Sequence, residues 1–367
     1  MNAQAAIADG RGNFSIEEIE VGSPLADEVL VEIKAAGICH TDHASLNWKR
    51  PLIMGHEGAG IVREVGASVT HVKVDDRVVL NWAIPCEHCF QCQRGMAVLC
   101  EESKPAYVME PSKGHAHADG TKWCGKPIDR SFNIGTLSSL TLVKAAAVTL
   151  IPESVPFTSA CIVGCGVMTG FGSAVNVAKI ERGSSVVVIG VGGVGLNVIQ
   201  GAKVAGAGKI IAVARKAARL EVAKQFGATH TMQVQRDDKD LRLAVEQVKA
   251  LTNGRGADYA FEATSVPELA FSPLLFVRNG GMALQLSGIN DAVTIEMPAF
   301  MWDKIYITPL YGQCIPNRDF PKIFDLYQKH QLKLDELVTR TYPLAQLGEA
   351  LDDMMQGRNS KGVITFN

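Results

Sequence analysis

Residues 186–195 read VVVIGVGGVG, a run of apolar and mostly β-branched side chains that passes directly into a glycine-rich loop. Such a run predicts a buried strand, and the residues that follow it, 196–205, predict a helix. Glycines between a strand and a helix allow backbone N–H groups to approach a phosphate closely. The stretch therefore predicts a dinucleotide-binding unit whose pyrophosphate contacts come from Gly190, Gly192, Gly193, Val194 and Gly195.

The same alternation of strand and helix patterns continues beyond this stretch. Strands are predicted at 185–189, 209–213, 257–262 and 281–287, and helices at 196–205, 241–250 and 321–329. This rhythm is typical of βαβ units, which build a parallel sheet covered by helices.

The end of the second predicted strand bears on the choice of dinucleotide. NAD-binding proteins carry an acidic residue there for the ribose hydroxyls, but this chain has Ala214, followed by Arg215, Lys216 and, one turn later, Arg219. The absence of the acidic residue and the presence of three cations favour binding of NADP, whose 2′-phosphate the cations can receive, over binding of NAD. The alternative is that these cations only face solvent at the start of a helix.

The first part of the chain has a different texture. Residues 28–33 (EVLVEI) alternate apolar and polar side chains, and the runs 59–62 and 77–80 are also strand-like. The tail, 362–366, predicts one more short strand. We therefore expect a β-rich region before about residue 166.

Composition limits the class of protein. The chain has 367 residues, 47% of them hydrophobic, with 36 basic and 38 acidic residues and a formal charge of −2. This balance argues against nucleic acid or an anionic membrane as the partner and favours a small molecule. The N-terminus lacks the pattern of a secretory signal, and no apolar segment is long enough to span a bilayer, so a cytoplasmic protein is expected.

Four cysteines form the densest cluster of metal-binding residue types. Cys86, Cys89, Cys92 and Cys100 follow the pattern C-x2-C-x2-C-x7-C, which suits four thiolates around one structural zinc with no open position. Unconnected core cysteines or an iron–sulfur cluster are less favoured alternatives. A nucleic-acid zinc module is disfavoured, because the interior of the cluster has one arginine and no lysine.

Cys39, His56 and Cys165 are candidates for a second metal site. A lone Cys or His is more often a packed core residue than a ligand. However, Cys39 lies in GICHTD (37–42) and His56 in GHEG (55–58), where hydroxyl and carboxylate groups accompany the donor. Both contexts resemble functional motifs.

GICHTDH (37–43), GHEGAG (55–60), the cysteine cluster and GVGGVG (190–195) together resemble the zinc-containing medium-chain alcohol dehydrogenase family over essentially the whole chain. The resemblance implies an α/β protein with a GroES-like, β-rich catalytic domain at 1–166 and 308–367. Both zinc sites would lie in that domain. A Rossmann cofactor-binding domain would occupy 167–307.

The resemblance also implies roles for individual residues. Cys39, His56 and Cys165 match the catalytic zinc ligands, with a fourth position open to water or the substrate oxygen. Asp42 and Glu57 match the acids beside the metal, and Thr41 the hydroxyl that begins the proton relay. Trp82 matches a wall of the substrate pocket, and a packed core tryptophan is the alternative.

Other matches concern the cofactor and the proton. His40 and Lys361 match positions that meet the pyrophosphate, and Thr169 one near the nicotinamide. The family often ends its proton relay with a histidine, where this chain has Ala44, with His43 one residue earlier. Cys124, Cys161 and Cys314 match no ligand and are expected to be buried, unligated thiols.

The implied activity is hydride transfer between a small alcohol or aldehyde and a nicotinamide cofactor, with two zinc ions per chain. Primary, allylic or aromatic alcohols are expected, and residues 107–128 resemble a longer catalytic-domain loop of the liver-type and formaldehyde-oxidising branches. A thiol adduct of formaldehyde is therefore an alternative substrate. Family members usually associate through the Rossmann domain, which implies a homodimer or homotetramer.

Two rival functions remain open at this point. A zinc-independent reductase of the wider superfamily would lack the catalytic ligands. A non-catalytic dinucleotide-binding zinc protein could retain the glycines and the cysteine cluster, but it would not need an open metal site.

Overall fold

The computed structural model describes residues 1–103, 120–235, 238, 241–289 and 291–366. The chain divides into two compact units. Unit 1 comprises Met1–Cys165 and Ile315–Asn367, and unit 2 comprises Gly166–Cys314. Sequence analysis placed the second division at 307/308. The structure places it at 314/315, because the turn Tyr311–Gln313 packs against the helical segment 166–177, where the Asn176 side-chain amide donates to the Gly312 carbonyl (3.3 Å).

The strands and helices are numbered in chain order. The strands are β1 (Asn2–Ala8), β2 (Phe14–Val21), β3 (Glu28–Gly37), β4 (Leu52–Ile53), β5 (Glu57–Val65), β6 (Arg77–Leu80), β7 (Thr121–Trp123), β8 (Lys126–Pro127), β9 (Asp129–Arg130), β10 (Leu140–Lys144), β11 (Val148–Leu150), β12 (Ser185–Ile189), β13 (Lys209–Ala214), β14 (His230–Gln233), β15 (Ala257–Glu262), β16 (Val277–Gln285), β17 (Ile305–Ile307), β18 (Val338–Pro343) and β19 (Lys361–Thr365). The α-helices are α1 (His40–Ser45), α2 (Phe90–Gln93), α3 (Phe157–Cys161), α4 (Gly166–Gly172), α5 (Gly193–Ala205), α6 (Ala217–Phe226), α7 (Arg242–Leu251), α8 (Pro273–Phe276), α9 (Pro316–Gln328) and α10 (Leu347–Met355).

Unit 1 is built mainly from two sheets. One follows the order β8-β7-β2-β1-β4-β9, and the other the order β11-β6-β5-β3-β19-β18, with β10 also paired to β3. Side chains from β1, β2 and β4 pack against Leu30 of β3 and Leu142 of β10 in a buried apolar cluster. The long strand β3 pairs antiparallel with β5, β10 and β19, so it organises the second sheet.

Unit 2 contains a parallel sheet in the order β14-β13-β12-β15-β16-β17. Counted from β12, this is the strand order 3-2-1-4-5-6 of dinucleotide-binding folds, in which ligands bind beyond the carboxyl ends of the strands where the order reverses. That reversal lies at β12, the strand that leads into the glycine-rich loop.

Helices cover both faces of this sheet. Neighbouring side chains on a strand point to opposite faces, so successive residues of β12 contact different helices. Val187 and Ile189 join a buried cluster with side chains of α7 and α8. On the other face, Gly195 in α5 approaches Val188. Gly206 ends α5 with φ +84°, a left-handed conformation that glycine adopts at low cost.

Most predicted elements have observed counterparts with shifted ends. The helix predicted from 321 begins at Pro316, whose missing N–H is tolerated in a first helical turn, and Pro321 lies inside it. The strand predicted at 281–287 begins at Val277. Among the described residues, no single helix is long and apolar enough to cross a membrane. The bent pair 157–164 and 166–177 passes that test by length and composition only.

Gly195 allows α5 to begin close against the carboxyl end of β12. A Cβ at this position would overlap the Gly190 carbonyl oxygen. We expect Gly195→Ala to lower the free energy of unfolding by about 1–3 kcal/mol through overpacking. Gly288→Ala in the same unit is the control, because a Cβ there meets nothing within 4 Å. Thermal unfolding of the cofactor-free protein measures both, and equal midpoints would contradict this account of the packing.

Candidate active site

Donor atoms from distant parts of unit 1 converge at one place. The side chains of Cys39, His56, Glu57 and Cys165 each offer one ligand atom, and these atoms lie within 4.8 Å of one another. Cys39 is the residue that caps the start of α1, His56 precedes β5, and Cys165 follows the 3₁₀ turn Ile162–Gly164. The predicted triad is therefore brought together, with Glu57 as a fourth donor.

The pairing of β3 with β5 creates this convergence. Gly37, the last residue of β3, lies opposite Glu57, the first residue of β5, so Cys39 and His56 leave the sheet at the same edge. The turn before His56 depends on Gly55, which has φ +94° and packs so closely that a Cβ would overlap the backbone nitrogen of Leu137. Only glycine fits both conditions.

Asp42 orients two of the donors. Its Oδ1 lies 2.8 Å from His56 Nδ1, and its Oδ2 accepts the Cys39 backbone N–H at 2.9 Å. Both Asp42 and His56 are buried. Because Nδ1 is engaged by the carboxylate, Nε2 is the nitrogen left to bind a metal, as is usual for metal-binding histidines.

Glu57 and Lys361 form a buried ion pair next to these donors. The Lys361 ammonium donates to Glu57 Oε1 at 2.6 Å and to the Ile38 carbonyl at 3.0 Å. Burial raises the pKa of Glu57 to about 7, although Lys361 acts in the opposite direction. The structure thus places Lys361 inside unit 1 with its ammonium engaged, a position that the predicted pyrophosphate role did not anticipate.

The donor set fits zinc. A hydrogen bond from Cys165, assisted by His56, lowers the pKa of Cys39 well below its usual value, so the pair readily supplies a thiolate. Glu57 Oε2 is buried and has no hydrogen-bond partner among the described residues, and one carboxylate oxygen of Glu57 lies within 4.8 Å of the other donor atoms. Two sulfurs and one imidazole nitrogen are a ligand set that zinc accepts in catalytic sites with an open fourth position, and the Glu57 carboxylate adds negative charge beside them.

An aromatic cluster centred on Phe132 packs against His56. The Phe132 ring centroid lies 4.8 Å from that of His56, 5.1 Å from Trp82 and 5.8 Å from Trp48. Trp82 was predicted at the pocket wall, whereas sequence analysis missed Trp48 and Phe132. No local motif marks either residue, because a contact across the fold leaves no spacing signal in the sequence.

The first turn of α1 carries the remaining predicted residues of unit 1. Thr41 Oγ1 lies 3.7 Å from Cys39 Sγ, and the side chain is half-buried. His40 is exposed at the first position of the helix. His43 is half-buried, and Ala44 is exposed.

The second cluster is local. The sulfurs of Cys86, Cys89, Cys92 and Cys100 lie within 4.8 Å of one another, with Cys86 and Cys92 at 4.0 Å. Backbone N–H groups of Cys92 and Glu101 lower the pKa of Cys89 to about 6, so that sulfur is readily ionised. Four sulfurs at these separations fit one tetrahedral zinc with Zn–S bonds of about 2.3 Å.

The remaining cysteines are more varied than predicted. Cys161 and Cys314 are buried as expected, but Cys124 is exposed. It lies in the turn between β7 and β8 with φ +50°, and a hairpin turn at a sheet edge projects into solvent. Of the predicted loop 107–128, residues 107–119 lie outside the described residues.

The predicted dinucleotide residues gather at one edge of the unit 2 sheet. Gly190 has φ +90° and its N–H donates to the Val213 carbonyl at 2.9 Å, so the glycine loop lies beside the end of β13. Ala214 is the last residue of β13, Arg215 and Lys216 follow in an exposed loop, and Arg219 lies in the first turns of α6. Thr169 is half-buried in α4, next to Gly170, which packs on the start of α5.

Two family models match the chain. The alcohol dehydrogenase GroES-like domain matches residues 25–153, and the zinc-binding dehydrogenase domain matches residues 193–329. Together with the two units described above, they confirm the predicted GroES-like and Rossmann architecture.

Known proteins agree with these matches. Alcohol dehydrogenase B of Mycobacterium tuberculosis is 34% identical over 96% of this chain and 95% of its own length. S-(hydroxymethyl)glutathione dehydrogenase of Paracoccus denitrificans is 32% identical over the full length of both chains. The crystal structure of benzyl alcohol dehydrogenase from Acinetobacter calcoaceticus superposes with a TM-score of 0.90, at 29% identity and full coverage of both chains.

These matches identify an oxidoreductase that uses zinc and a nicotinamide cofactor, acting on a small alcohol or aldehyde. The two rival functions are thereby set aside. The chain belongs to the zinc-dependent medium-chain alcohol dehydrogenase family.

Proposed function

We propose that this enzyme interconverts primary alcohols bearing an aromatic or allylic group and their aldehydes, with NADP(H) as the preferred cofactor. The observation that carries the substrate class is an aromatic wall beside His56, in which Phe132 packs on the His56 ring and also contacts Trp48 and Trp82. Flat rings stack or meet edge-to-face with such walls at favourable energy. The similarity to benzyl alcohol dehydrogenase supports the same class.

Two zinc ions per chain are proposed. Cys39, His56 and Cys165 hold the catalytic ion, and the four-cysteine cluster holds a structural one. When bound, the catalytic zinc acts as a Lewis acid on the substrate oxygen, which eases loss of its proton in one direction and polarises the carbonyl in the other. The four cysteine sulfurs of the cluster would fill every position of a tetrahedral zinc, so the proposed role of that ion is to stabilise the fold.

The surrounding residues prepare the site for this chemistry. Asp42 holds the His56 ring by Nδ1 and the Cys39 backbone by its amide, so two ligands keep a fixed geometry. Thr41, beside Cys39, is proposed to hydrogen-bond the substrate hydroxyl and take over its proton. The ammonium of Lys361 balances the negative charge that Glu57 adds behind the ligands.

The cofactor preference rests on the end of β13. The nicotinamide supplies or accepts the hydride, so that alcohol and NADP⁺ yield aldehyde, NADPH and one proton. Gly190–Gly195 would hold the pyrophosphate through backbone N–H groups, with Thr169 near the nicotinamide. Ala214 leaves space free of negative charge, and Arg215, Lys216 and Arg219 can receive the 2′-phosphate.

A second candidate substrate is the thiol adduct of formaldehyde. The 32% identity to S-(hydroxymethyl)glutathione dehydrogenase over the full length of both chains supports it. A glutathione adduct carries charged groups that an aromatic pocket does not satisfy, so we rank it second.

We further propose that the enzyme is a homodimer or homotetramer joined through β17. This strand ends the unit 2 sheet, and large apolar side chains nearby are exposed: Met297 (71%), Met301 (52%), Trp302 (68%) and Ile305 (50%). An exposed apolar edge strand invites pairing with another strand. A second copy of β17 would extend the sheet and cover these side chains.

Substitution of a catalytic ligand tests the proposed reaction. Cys39→Ser is expected to lower kcat/KM for benzyl alcohol at least about 1,000-fold, because loss of the zinc contribution removes several kcal/mol of transition-state stabilisation. Metal analysis should fall from two zinc ions per chain to one. Cys124→Ser, at an exposed thiol, is the control and should keep both. Full activity in Cys39→Ser would refute zinc catalysis at this site. The substrate is tested separately: if the parent enzyme turns over S-hydroxymethylglutathione faster than benzyl alcohol, the second candidate substrate is favoured.

The cofactor proposal is tested by restoring an acid at the end of β13. Ala214→Asp should shift the ratio of kcat/KM for NADPH over NADH toward NADH by about 10- to 100-fold, because the carboxylate repels the 2′-phosphate and binds the ribose hydroxyls. Lys209→Asp, at the opposite end of the same strand, changes the charge without reaching the ribose and should leave the ratio unchanged. An unchanged ratio in Ala214→Asp would contradict the proposal.

The assembly proposal predicts that Trp302→Glu dissociates the oligomer, since a buried carboxylate at the joined edge is unfavourable. Sedimentation velocity should show a dimer or tetramer for the parent and a monomer for the variant. Leu243→Glu alters another exposed apolar residue, at 70% exposure in α7, and should not change the assembly. A monomeric parent would rule out the interface.

A further inference from the structure

A cavity of about 110 Å³ opens at the edge of the unit 2 sheet where the strands begin. Parallel strands start at the same edge, so their first residues gather there. Ser185 is the first residue of β12 and Lys209 the first of β13, while Asp258 and Arg278 are the second residues of β15 and β16. All four line the cavity. The glycine-rich loop leaves the other end of β12, so the cavity is separate from the dinucleotide edge.

The acid that lines the cavity is already compensated. Asp258 Oδ2 accepts hydrogen bonds from the Ser185 backbone N–H at 2.8 Å and from its hydroxyl at 2.7 Å, and Oδ1 accepts one from Arg278 Nε at 2.7 Å. Burial opposes ionisation, but these hydrogen bonds outweigh it and lower the pKa of Asp258. The carboxylate is therefore ionised at neutral pH, and Arg278 balances its charge.

A break in the strand pairing directs Arg278 toward this cavity. Ala257 of β15 pairs with Val277 of β16, and the next pair is Tyr259 with Met282. Strand β16 thus carries extra residues at this point, and such bulges re-aim side chains, often next to functional sites. Arg278 Nη1 donates to the carbonyl of the following residue at 2.8 Å, and among the described residues its Nη2 group makes no hydrogen bond. That group is available to a ligand.

Two further cations line the cavity without a counterion. Lys209 is half-buried and Arg255 is exposed, and in the part of the chain that the structure describes neither side chain forms an ion pair. By contrast, Lys224 on the same unit pairs with Glu221 at 2.7 Å. Three cations and one acid leave the cavity with an excess of two positive charges.

The loop between α7 and β15 places Arg255 and Asn253 at the rim. Its last residue, Gly256, has φ +100°, and a Cβ there would lie 3.0 Å from the backbone nitrogen of Arg278. The loop therefore packs closely against the start of β16. The Asn253 carboxamide also lines the cavity and offers N–H donors without charge.

We propose that this cavity binds a phosphate dianion, either inorganic phosphate or the end of a phosphate monoester. Its volume exceeds that of several waters, at about 30 Å³ each in the liquid, but is too small for a dinucleotide. A phosphate monoester carries about −1.5 to −2 charges at neutral pH, which matches the excess of two cations, whereas a single carboxylate would neutralise half of it. Guanidinium groups bind such oxygens through paired N–H donors.

Calorimetric titration of inorganic phosphate into the zinc-loaded enzyme at pH 8 tests the proposal. The protein is first saturated with the nicotinamide dinucleotide that it binds more tightly, so that the glycine-rich loop is occupied. We expect one phosphate per chain with a Kd on the order of 1 mM or tighter. Arg255→Gln and Lys209→Gln should each weaken binding about 5-fold or more, because each removes a charge-assisted contact. The double variant should show no saturable binding.

Lys224→Gln is the matched control. It removes one exposed cation from the same unit but lies outside the cavity, so it should keep the parent Kd. Titration with glycerol 2-phosphate separates the two sources of the dianion. Binding as tight as that of inorganic phosphate assigns the cavity to monoesters, and binding of inorganic phosphate alone assigns it to the free ion.

Three results would overturn the proposal. The first is a parent enzyme that shows no saturable binding of either compound at about ten times the expected Kd. The second is an unchanged Kd in the double variant, and the third is an equal loss of affinity in Lys224→Gln, which would indicate a general effect of surface charge. None of them bears on the proposed alcohol oxidation, because the cavity and the dinucleotide edge lie at opposite ends of the strands.

Discussion

The antiparallel register of β3 with β5 sets Gly37 opposite Glu57, and the candidate active site depends on it. Cys39 follows the end of one strand, and His56 precedes the start of the other. A slip of one residue would turn every side chain of a strand to the opposite face and separate the two donors. The close packing at Gly55 secures the register from outside the sheet, because a larger residue would push the His56 turn away from Leu137.

The charged side chains around this edge of the sheet form pairs of opposite charge. His56 is held by Asp42, and Glu57 by Lys361, all of them buried. In a low-dielectric interior, each of these pairs offsets part of the desolvation of its members. The Cys39 sulfur, whose pKa is lowered by the hydrogen bond from Cys165, is the donor that most readily carries negative charge for a zinc ion to balance.

Unit 2 is subject to a different constraint: the backbone of its glycine-rich loop must allow close approach to the phosphates of a dinucleotide. Gly190 turns with φ +90°, and Gly195 lets α5 begin close to that turn. The glycine loop and the end of β13 then share one edge of the sheet, at the strand where the order reverses. Ala214, the last residue of β13, lies at this edge and is half-buried.

Sequence alone was sufficient for features encoded within one loop or one element. The spacing of Cys86, Cys89, Cys92 and Cys100 predicts their cluster, and the run from Val186 to Gly195 predicts a strand, a loop and a helix. In both cases the interacting residues are close along the chain, so local geometry determines their contacts. The grouping of Cys39, His56 and Cys165 required a resemblance to a family, since no spacing rule connects them.

Tertiary structure decided the rest. It placed Lys361 against Glu57, packed Phe132 on His56 and assigned residues 308–314 to unit 2. Cys124 proved exposed because a hairpin turn carries it outward. These contacts join segments that are far apart in sequence, and sheet register and packing between strands bring them together. The local sequence around a residue therefore does not predict which distant residues it will contact.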